Sequence, residues 1–180
     1  MKSLIFCFLF LLAQPLGQAA ECELSLVVDH IEWRGGTRGG YNVFESGEYA
    51  QTVHFRIRLT GDPCPFFIGI SSANPGENRR SATLGADRVE YWVYDSIRSR
   101  VVLKDIPSAT ENELIRGNFG PGETEKELSF VILVPAQQIK GAGRYTDSLR
   151  ITAYAGTPQN FVPKDCKTVT FSIPVEETTE

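Results

Sequence analysis

The chain has 180 residues, and its 18 lysines and arginines are outnumbered by 22 aspartates and glutamates, which gives a net charge of -4. The basic residues are scattered and only Arg79 and Arg80 are adjacent, so the sequence offers no basic patch for phosphate and a nucleic-acid partner is not expected. The length beyond the N-terminal segment described next, roughly 160 residues, fits a single domain that can bury most of its apolar surface.

The N-terminus has the pattern of a signal peptide. Lys2 precedes an apolar run over residues 4–13, and the small residues Ala19 and Ala20 follow. A run of about ten residues is too short for a membrane span, which needs roughly 20. We therefore predict a signal peptide over residues 1–20, one domain over residues 21–176 and a frayed acidic tail over residues 177–180. The mature protein is expected in the periplasm, on the cell surface or outside the cell, with no membrane span after cleavage.

Three cysteines remain in the predicted mature chain once Cys7 leaves with the signal: Cys22, Cys64 and Cys166. An exported protein meets conditions that permit disulfides, and three thiols leave room for one pair and one spare. The residues alone allow Cys22 to pair with either of the other two.

Strand patterns recur through the chain, and no segment has sustained helical periodicity. Residues 52–59 show the clearest alternation, which places Val53, Phe55 and Ile57 on one face. Further strands are predicted at residues 22–33, 66–70, 89–94, 127–134, 144–154 and 167–175, with Val101 and Val102 pairing with 89–94 and the polar stretches 71–87 and 156–165 left as loops. Seven or eight short strands separated by Gly, Pro and Asx turns predict an all-β, two-sheet antiparallel β-sandwich.

The side chains that could take part in catalysis or bind a metal form no recognisable pattern for either. His30 and His54 lie on predicted strands without a Cys, Asp or Glu at metal-ligand spacing, and no nucleophile elbow, HExxH motif or P-loop is present. We expect no enzyme activity, no metal and no cofactor. Alternation over residues 89–94 places Glu90, Trp92 and Tyr94 on one face, so at least one aromatic side chain is expected to face outward, although packing is the favoured role for the aromatic residues.

Two segments resemble the spore coat protein U domain. GRYTDSLRIT, preceded by SFVILVPAQQIKGAG, is similar to the closing signature of that family, and NRRSATLGADRVEYWVYDS is similar to its arginine-containing loop and the strand that follows. The resemblance covers roughly residues 22–154. Within it, Tyr145 is interpreted as a corner tyrosine that bonds backbone, and Asp147 as a residue that fixes a turn or caps backbone groups. The matched motif positions are Tyr91, Tyr94, Asp95, Pro135, Gln137, Gly143, Tyr145 and Asp147.

The resemblance implies an immunoglobulin-like β-sandwich and a Cys22–Cys64 disulfide, with Cys166 unpaired or intermolecular. The family is related to archaic chaperone-usher pilus subunits, which implies other surface or pilus subunits and a periplasmic chaperone as partners, and assembly by exchange of a strand between neighbours. Only one or two residues precede Cys22 after cleavage, so no donor strand is evident at that end.

The predicted strand at residues 167–175 lies beyond the matched region. Its apolar side chains Val169, Phe171 and Ile173 belong either to a strand that closes the sandwich of its own chain or to one that is exchanged with a neighbour. We predict an exported structural or interaction protein, self-complemented and associated with the cell surface or a pilus. The alternative is a carbohydrate- or surface-binding adhesin-type module that uses end loops and aromatic residues.

Overall fold

A computed structural model describes residues 21–34, 40–74, 79–157 and 159–176. The predicted signal peptide and acidic tail lie outside these residues. The described chain is nearly all strand, with one short 3-10 helix at Glu111–Glu113. The nine strands are β1 Glu23–Val28, β2 Tyr49–Thr60, β3 Pro65–Ser72, β4 Arg80–Leu84, β5 Asp87–Tyr94, β6 Ile115–Asn118, β7 Glu125–Val134, β8 Gly143–Thr157 and β9 Asn160–Val175.

All strand pairs are antiparallel, and the sheet folds over on itself to form the two layers of a sandwich. One layer has the order β1-β2-β7-β5, and the other contains β4, β8, β9, β3 and β6. Strand β5 belongs to both layers: residues 87–91 pair with β4, and residues 92–94 pair with β7. The fold is therefore the antiparallel immunoglobulin-like β-sandwich that was predicted, with its layers joined through one strand.

Side-chain alternation explains why these strands bury a single core between the layers. In β2, Val53, Phe55, Ile57 and Leu59 are buried, while the side chains between them lie on the outer face. Their counterparts in β7, Phe130 and the alternate residues after it, complete this side of the core. Because side chains alternate between the two faces of a strand, this sequence pattern gives each layer one apolar face.

The strand count and several boundaries differ from the prediction. Strands β4 and β6 are short and were not predicted, and β4 falls within the stretch 71–87 that was predicted as a loop. Each is a strand because it pairs with a neighbour, β4 with β5 and β6 with β3. Strand β1 ends at Val28, five residues earlier than predicted. The expected partner of β5 at residues 101–102 is reduced to one bridge, between Tyr94 and Val102.

The predicted loop over residues 156–165 is wrong, because β8 and β9 continue through it as a long hairpin. The ladder starts where Thr157 pairs with Asn160 and ends where Gly143 pairs with Val175. An irregularity after Ala153 leaves Lys164 without a partner in the ladder. Outward-facing Tyr154 and Phe161 of this extension pack with Phe67 in a second, small apolar cluster. The polar residues of this segment suggested a loop, but its packing against Phe67 and its pairing between β8 and β9 make it part of a hairpin.

The segment after residue 104 covers the outer face of β3 and β8. Asp105 accepts hydrogen bonds from the hydroxyls of Tyr154 (2.7 Å) and Thr152 (3.2 Å). It lies directly over Gly69 of β3, where a Cβ atom would come within 2.1 Å of its carboxylate. A glycine is therefore required at this position for the segment to approach the sheet.

A disulfide joins Cys22 to Cys64, with a Cα–Cα distance of 6.2 Å, so the expected pairing is present. It connects the residue before β1 to the residue before β3. Cys166 is exposed on β9 and forms no disulfide within the described chain.

Candidate functional site

Strand β9 lies beside β8 in the second layer, and its inner side chains are part of the core. Val169, Phe171, Ile173 and Val175 are only 9, 1, 0 and 5% exposed. The alternate residues, from Thr168 to Pro174, are exposed or half-buried. The residues that were predicted to close the sandwich or to be exchanged are thus placed inside their own chain.

Backbone pairing and ring packing hold the middle of β9. Phe171 lies opposite Asp147 of β8 in the ladder, and its ring meets that of Tyr91 edge-on, with centroids 5.3 Å apart. Such T-shaped aromatic contacts add to the free energy of burial. β9 therefore contacts both β8, which pairs with it, and β5, the strand that belongs to both layers.

The C-terminal end of β9 is held by Tyr41. The Tyr41 amide donates to the carbonyl of Pro174 (2.6 Å), and the Glu176 amide donates to the carbonyl of Tyr41 (3.1 Å). The Tyr41 hydroxyl donates to the Pro135 carbonyl (2.9 Å) and accepts from the Gln138 amide (2.6 Å). Burial raises the pKa of Tyr41, so this hydroxyl stays protonated and available as a donor.

The N-terminal half of β9 is held against β1. Asp165 accepts a hydrogen bond from the Leu26 amide (2.7 Å), and the Lys164 ammonium lies 3.0 Å from Glu21 and 3.1 Å from Glu23. Burial acts to raise the pKa of Asp165, but the hydrogen bonds from the Leu26 and Cys166 amides lower it below its usual value. The ionised carboxylate thus fastens β9 to β1.

An open groove follows the outer edge of β9. It has a volume of about 540 Å³ and lies between residues 168–174 and residues 28–33. Its β9 wall carries the small polar side chains Thr168, Thr170 and Ser172, whereas the apolar side chains of the strand face the core. The apolar groove of the sandwich is therefore filled, and what remains open at the edge is lined largely by polar groups.

The motif residues Tyr91 and Asp147 meet inside the sandwich. The Asp147 carboxylate accepts from the Tyr91 hydroxyl (2.6 Å), from the Ser72 hydroxyl (2.5 Å) and from the Asn74 side-chain amide (2.9 Å). Burial raises the pKa of Tyr91, and the Asp147 charge raises it further. Asp147 lies within β8 and is 3% exposed, so it does not fix a turn, but its carboxylate accepts a hydrogen bond from the Ser148 amide (2.8 Å), in keeping with the other predicted role of capping backbone groups.

Arg80 of β4 is buried beside this cluster. Its Nη2 donates to the carbonyls of Ile70 and Leu103, both at 2.7 Å. Burial lowers the pKa of Arg80, while the charges of Tyr91 and Asp147 act in the opposite direction. These side chains are closed off from a substrate, and the arrangement ties β3, β4, β5 and β8 together.

The other motif residues shape turns at the ends of strands. The Tyr145 hydroxyl donates to the Gly141 carbonyl at 2.9 Å, a hydrogen bond of the corner-tyrosine type. Asp95 accepts from the amides of Ser96 and Val101 and closes the turn after β5. Gln137 and Gly143 have positive φ angles of 59° and 149°. Gln137 follows two residues after Pro135, whose carbonyl accepts the hydrogen bond from Tyr41.

The histidines do not form a metal site in the part of the chain that the structure describes. His54 on β2 lies 3.1 Å from Glu127 on β7, a cross-strand neighbour that its position in the sequence did not reveal. His30 is exposed after β1. No group of three potential ligands is present among the described residues, and none of their helices is long and apolar enough to span a membrane.

The aromatic residues divide between core and surface. Trp33, Tyr41 and Tyr91 are buried, whereas Trp92 and Tyr94 are half-buried on the outer face of β5. The latter two rings are nearly parallel, at 16°, with centroids 6.4 Å apart. The alternation of β5 predicted that at least one aromatic side chain would face outward, and both do; their cross-strand neighbours on β7 could not be read from the sequence.

No protein-family model matches the chain, and no curated protein does. Solved structures to which the chain is similar include the CooA pilin subunit of enterotoxigenic Escherichia coli, at 12% identity over 86% of this chain and 99% of that one, with a TM-score of 0.47. A PapD-like domain of human CEP192 matches at 12% identity over 97% and 100%, with a TM-score of 0.43. MyfA, the major subunit of Myf fimbriae from Yersinia enterocolitica, matches in self-complemented form at 12% identity over 86% and 98%, with a TM-score of 0.41.

Proposed function

We propose that this protein is an exported, self-complemented structural or interaction module of a cell-surface or pilus-type assembly. The observation that carries the proposal is the place of β9, whose apolar side chains fill the groove of their own domain. A sandwich with that groove empty would expose apolar surface and unpaired backbone groups, which a neighbour or a chaperone would have to cover. With β9 in place, the domain needs neither in order to fold.

Export is supported by the signal-peptide pattern and by the Cys22–Cys64 disulfide, which requires an oxidising compartment to persist. The resemblance to spore coat protein U supports a role in a surface structure. In this proposal the module joins its assembly through outer faces or strand edges, because its central groove is already occupied. A terminal or accessory position fits such a subunit better than a place in a strand-exchanging shaft.

The proposal is tested by expressing residues 21–180 in an oxidising compartment without a pilus chaperone. A matched version ends after Gly156 and so lacks β9. We expect the full chain to be a stable monomer and the truncated chain to unfold or aggregate. A synthetic peptide of residues 160–176, added during refolding, should restore solubility to the truncated chain, since it supplies the missing strand.

Two results would contradict the proposal. The full chain could polymerise with Phe171 packed in the core of a neighbouring molecule, which would make β9 an exchanged strand. Alternatively, the truncated chain could fold as stably as the full one, which would mean that β9 does not complete the core. Size-exclusion chromatography and thermal unfolding distinguish these outcomes.

A further inference from the structure

The edge of β9 that faces away from β8 is unpaired over residues 168–172. In an antiparallel ladder the N–H and C=O groups of every second residue point to the partner strand, and those of the residues between point to the other side. The end of β9 shows which set points away from β8, because the Pro174 carbonyl accepts from the Tyr41 amide and the Glu176 amide donates to the Tyr41 carbonyl. In the middle of the strand the same set consists of Thr168, Thr170 and Ser172.

The outward backbone groups of residues 168–172 have no hydrogen-bond partner within the described part of the chain. On either side of this stretch the edge is closed. Tyr41 covers it at Pro174, and at the other end Asp165 accepts from the Leu26 amide of β1. A lysine, a proline or a bulge often keeps a strand edge from pairing, and residues 168–172 contain none of these. The stretch is therefore a template for a further strand.

Another free edge of the sandwich is covered by a side chain of its own chain. Where β5 separates from β7, beyond the pair of Trp92 and Leu133, the side-chain amide of Gln138 takes the place of a strand. It accepts from the Glu90 amide (2.7 Å) and donates to the Glu90 carbonyl (2.8 Å). No side chain of the described residues does the same for the edge at residues 168–172.

This edge forms one wall of the open groove of about 540 Å³ beside β9. The opposite wall is formed by residues 29–33, which follow β1 after its pairing with β2 has ended at Val28. A strand rises about 3.3 Å per residue, so residues 168–172 can pair with about five residues of an incoming chain. The apolar residues Val169 and Phe171 below the edge are at most 9% exposed, and the side chains that reach outward carry hydroxyls. The groove thus suits small, uncharged side chains.

We infer that the edge of β9 at residues 168–172 binds an extended segment of a partner protein, which adds to the second layer as a further strand. The unpaired N–H and C=O groups call for a partner with complementary groups at the spacing of a peptide backbone. Hydroxyl side chains on the partner, opposite Thr168 and Thr170, would form favourable cross-strand pairs. The inference rests on the proposed function, because β9 offers this edge only while it is folded into its own domain.

Other occupants fit less well. A second copy of the chain has residues 29–33 beside its own β9, so these segments would obstruct each other if two such edges approached. A nucleic-acid strand has no peptide groups to pair with the edge, and its phosphates would meet the carboxylates of Asp29 and Glu32 in the groove wall.

The test uses the full-length mature protein and a fluorescently labelled heptapeptide of alternating threonine and valine, acetylated and amidated at its ends. Binding is measured by fluorescence polarisation. A fully N-methylated version of the peptide is the control, since it keeps the side chains but has lost the hydrogen-bond donors. Amide hydrogen exchange, measured with and without the peptide, reports which backbone groups of β9 become protected.

A pair of variants tests the edge itself. Thr170→Pro removes one outward N–H group, and proline is tolerated at a strand edge where that group has no partner. Thr170→Val is the matched control, because it keeps the N–H group and loses only the hydroxyl, which lies 2.8 Å from that of Ser148. Thermal unfolding verifies that both variants are folded, and the exchange measurement on the wild type tests the inference without them.

We expect the heptapeptide to bind and its N-methylated version not to bind. Thr170→Pro should weaken binding by about tenfold, and Thr170→Val should change it by less than about twofold. In the free protein the amides of Val169, Phe171 and Ile173, which point to β8, should be protected from exchange. The amides of Thr168, Thr170 and Ser172 should become protected only when the peptide is bound.

The inference is overturned if the heptapeptide does not bind, if the N-methylated peptide binds equally well, or if Thr170→Pro binds like the wild type. Outward amides that become protected at high protein concentration without peptide would also overturn it and would identify a second copy as the occupant. If the amides of Val169 and Phe171 were unprotected in the free protein, β9 would not be docked, and the proposed function would fail together with this inference. Protected inner amides without peptide binding would contradict this inference alone.

Discussion

The hydroxyl of Tyr91 on β5 donates a 2.6 Å hydrogen bond to Oδ2 of Asp147 on β8, in the interior of the sandwich. Residues 87–91 of β5, which include Tyr91, belong to the layer that contains β8, and the next three residues belong to the other layer. The bond thus fixes β5 at the point where it changes layers. Asp147 has several further donors around it, whereas Nη1 of the neighbouring Arg80 is buried without a hydrogen-bond partner among the described residues.

Asp147→Ala should lower the free energy of unfolding by about 2–3 kcal/mol, because the hydroxyls of Tyr91 and Ser72 lose a buried acceptor. Urea unfolding measures the change. Asp62→Ala, in the exposed turn after β2, is the control and should change stability by less than about 0.5 kcal/mol. Equal effects from the two substitutions would show that the buried cluster does not stabilise the fold.

Phe171→Ala should lower the free energy of unfolding by about 3–5 kcal/mol, since it removes a buried ring from the core and its contact with Tyr91. Thr168→Ala, on the exposed face of the same strand, should have little effect. Chemical denaturation of both variants gives the comparison. A mild effect of Phe171→Ala would mean that β9 is only loosely docked.

Replacing both Cys22 and Cys64 by alanine should cost about 4 kcal/mol of stability on the chain-entropy model, because the bridge closes a separation of 42 residues. Cys166→Ala should leave stability nearly unchanged, since this cysteine is exposed and unpaired within the described chain. Maleimide labelling of the native protein should find one reactive thiol, at Cys166. Labelling at Cys22 or Cys64 without reductant would contradict the assigned pairing.

Glu113 should make the stability sensitive to acid. The hydrogen bond from the Lys104 ammonium (2.7 Å), together with one from the Thr110 amide (2.8 Å), lowers the pKa of Glu113 from 4.5 to about 2. A carboxylate with a lowered pKa in the folded state stabilises the protein above pH 4.5, and this contribution disappears as the pH falls from 4.5 to about 2.

The Glu113→Gln variant should therefore be less stable than the wild type at neutral pH, and the difference should shrink between pH 4.5 and about 2. Thermal unfolding across pH 2–7 measures it, within the range where carboxylates titrate. Glu111→Gln, which removes only an exposed pair with Arg116, is the control. A stability difference that is independent of pH would disprove the role of the ionised Glu113 carboxylate.

Alternation made the long amphipathic strands predictable from sequence. Residues 52–59 and 167–175 each place one apolar face towards the core, and both lie inside observed strands, β2 and β9. The same period predicted that Trp92 or Tyr94 would face outward. Local pattern suffices in these cases because a strand with one buried face has only one way to orient its side chains.

Features that depend on distant partners could not be predicted. Arg80 is a charged residue on the inner face of a five-residue strand, and its burial depends on the carbonyls of Ile70 and Leu103 from other segments. Asp147 is a charged residue in mid-strand, and only the Tyr91 and Ser72 hydroxyls make its burial possible. The first half of β9 is largely polar, so its own sequence does not indicate a strand. It forms one because it pairs with β8.

The position of the disulfide determines how the domain would respond to tension. Cys22 precedes β1 and Cys64 precedes β3, so a force pulling on the chain at residue 22 passes through the sulfur–sulfur bond straight into β3. Strands β1 and β2 lie within the covalent loop and are bypassed by that force. They cannot be peeled from the sheet from that end, and the loop cannot add its length to the extension of the stretched chain. Tension applied there is borne by the ladders of β3 in the second layer, next to β8.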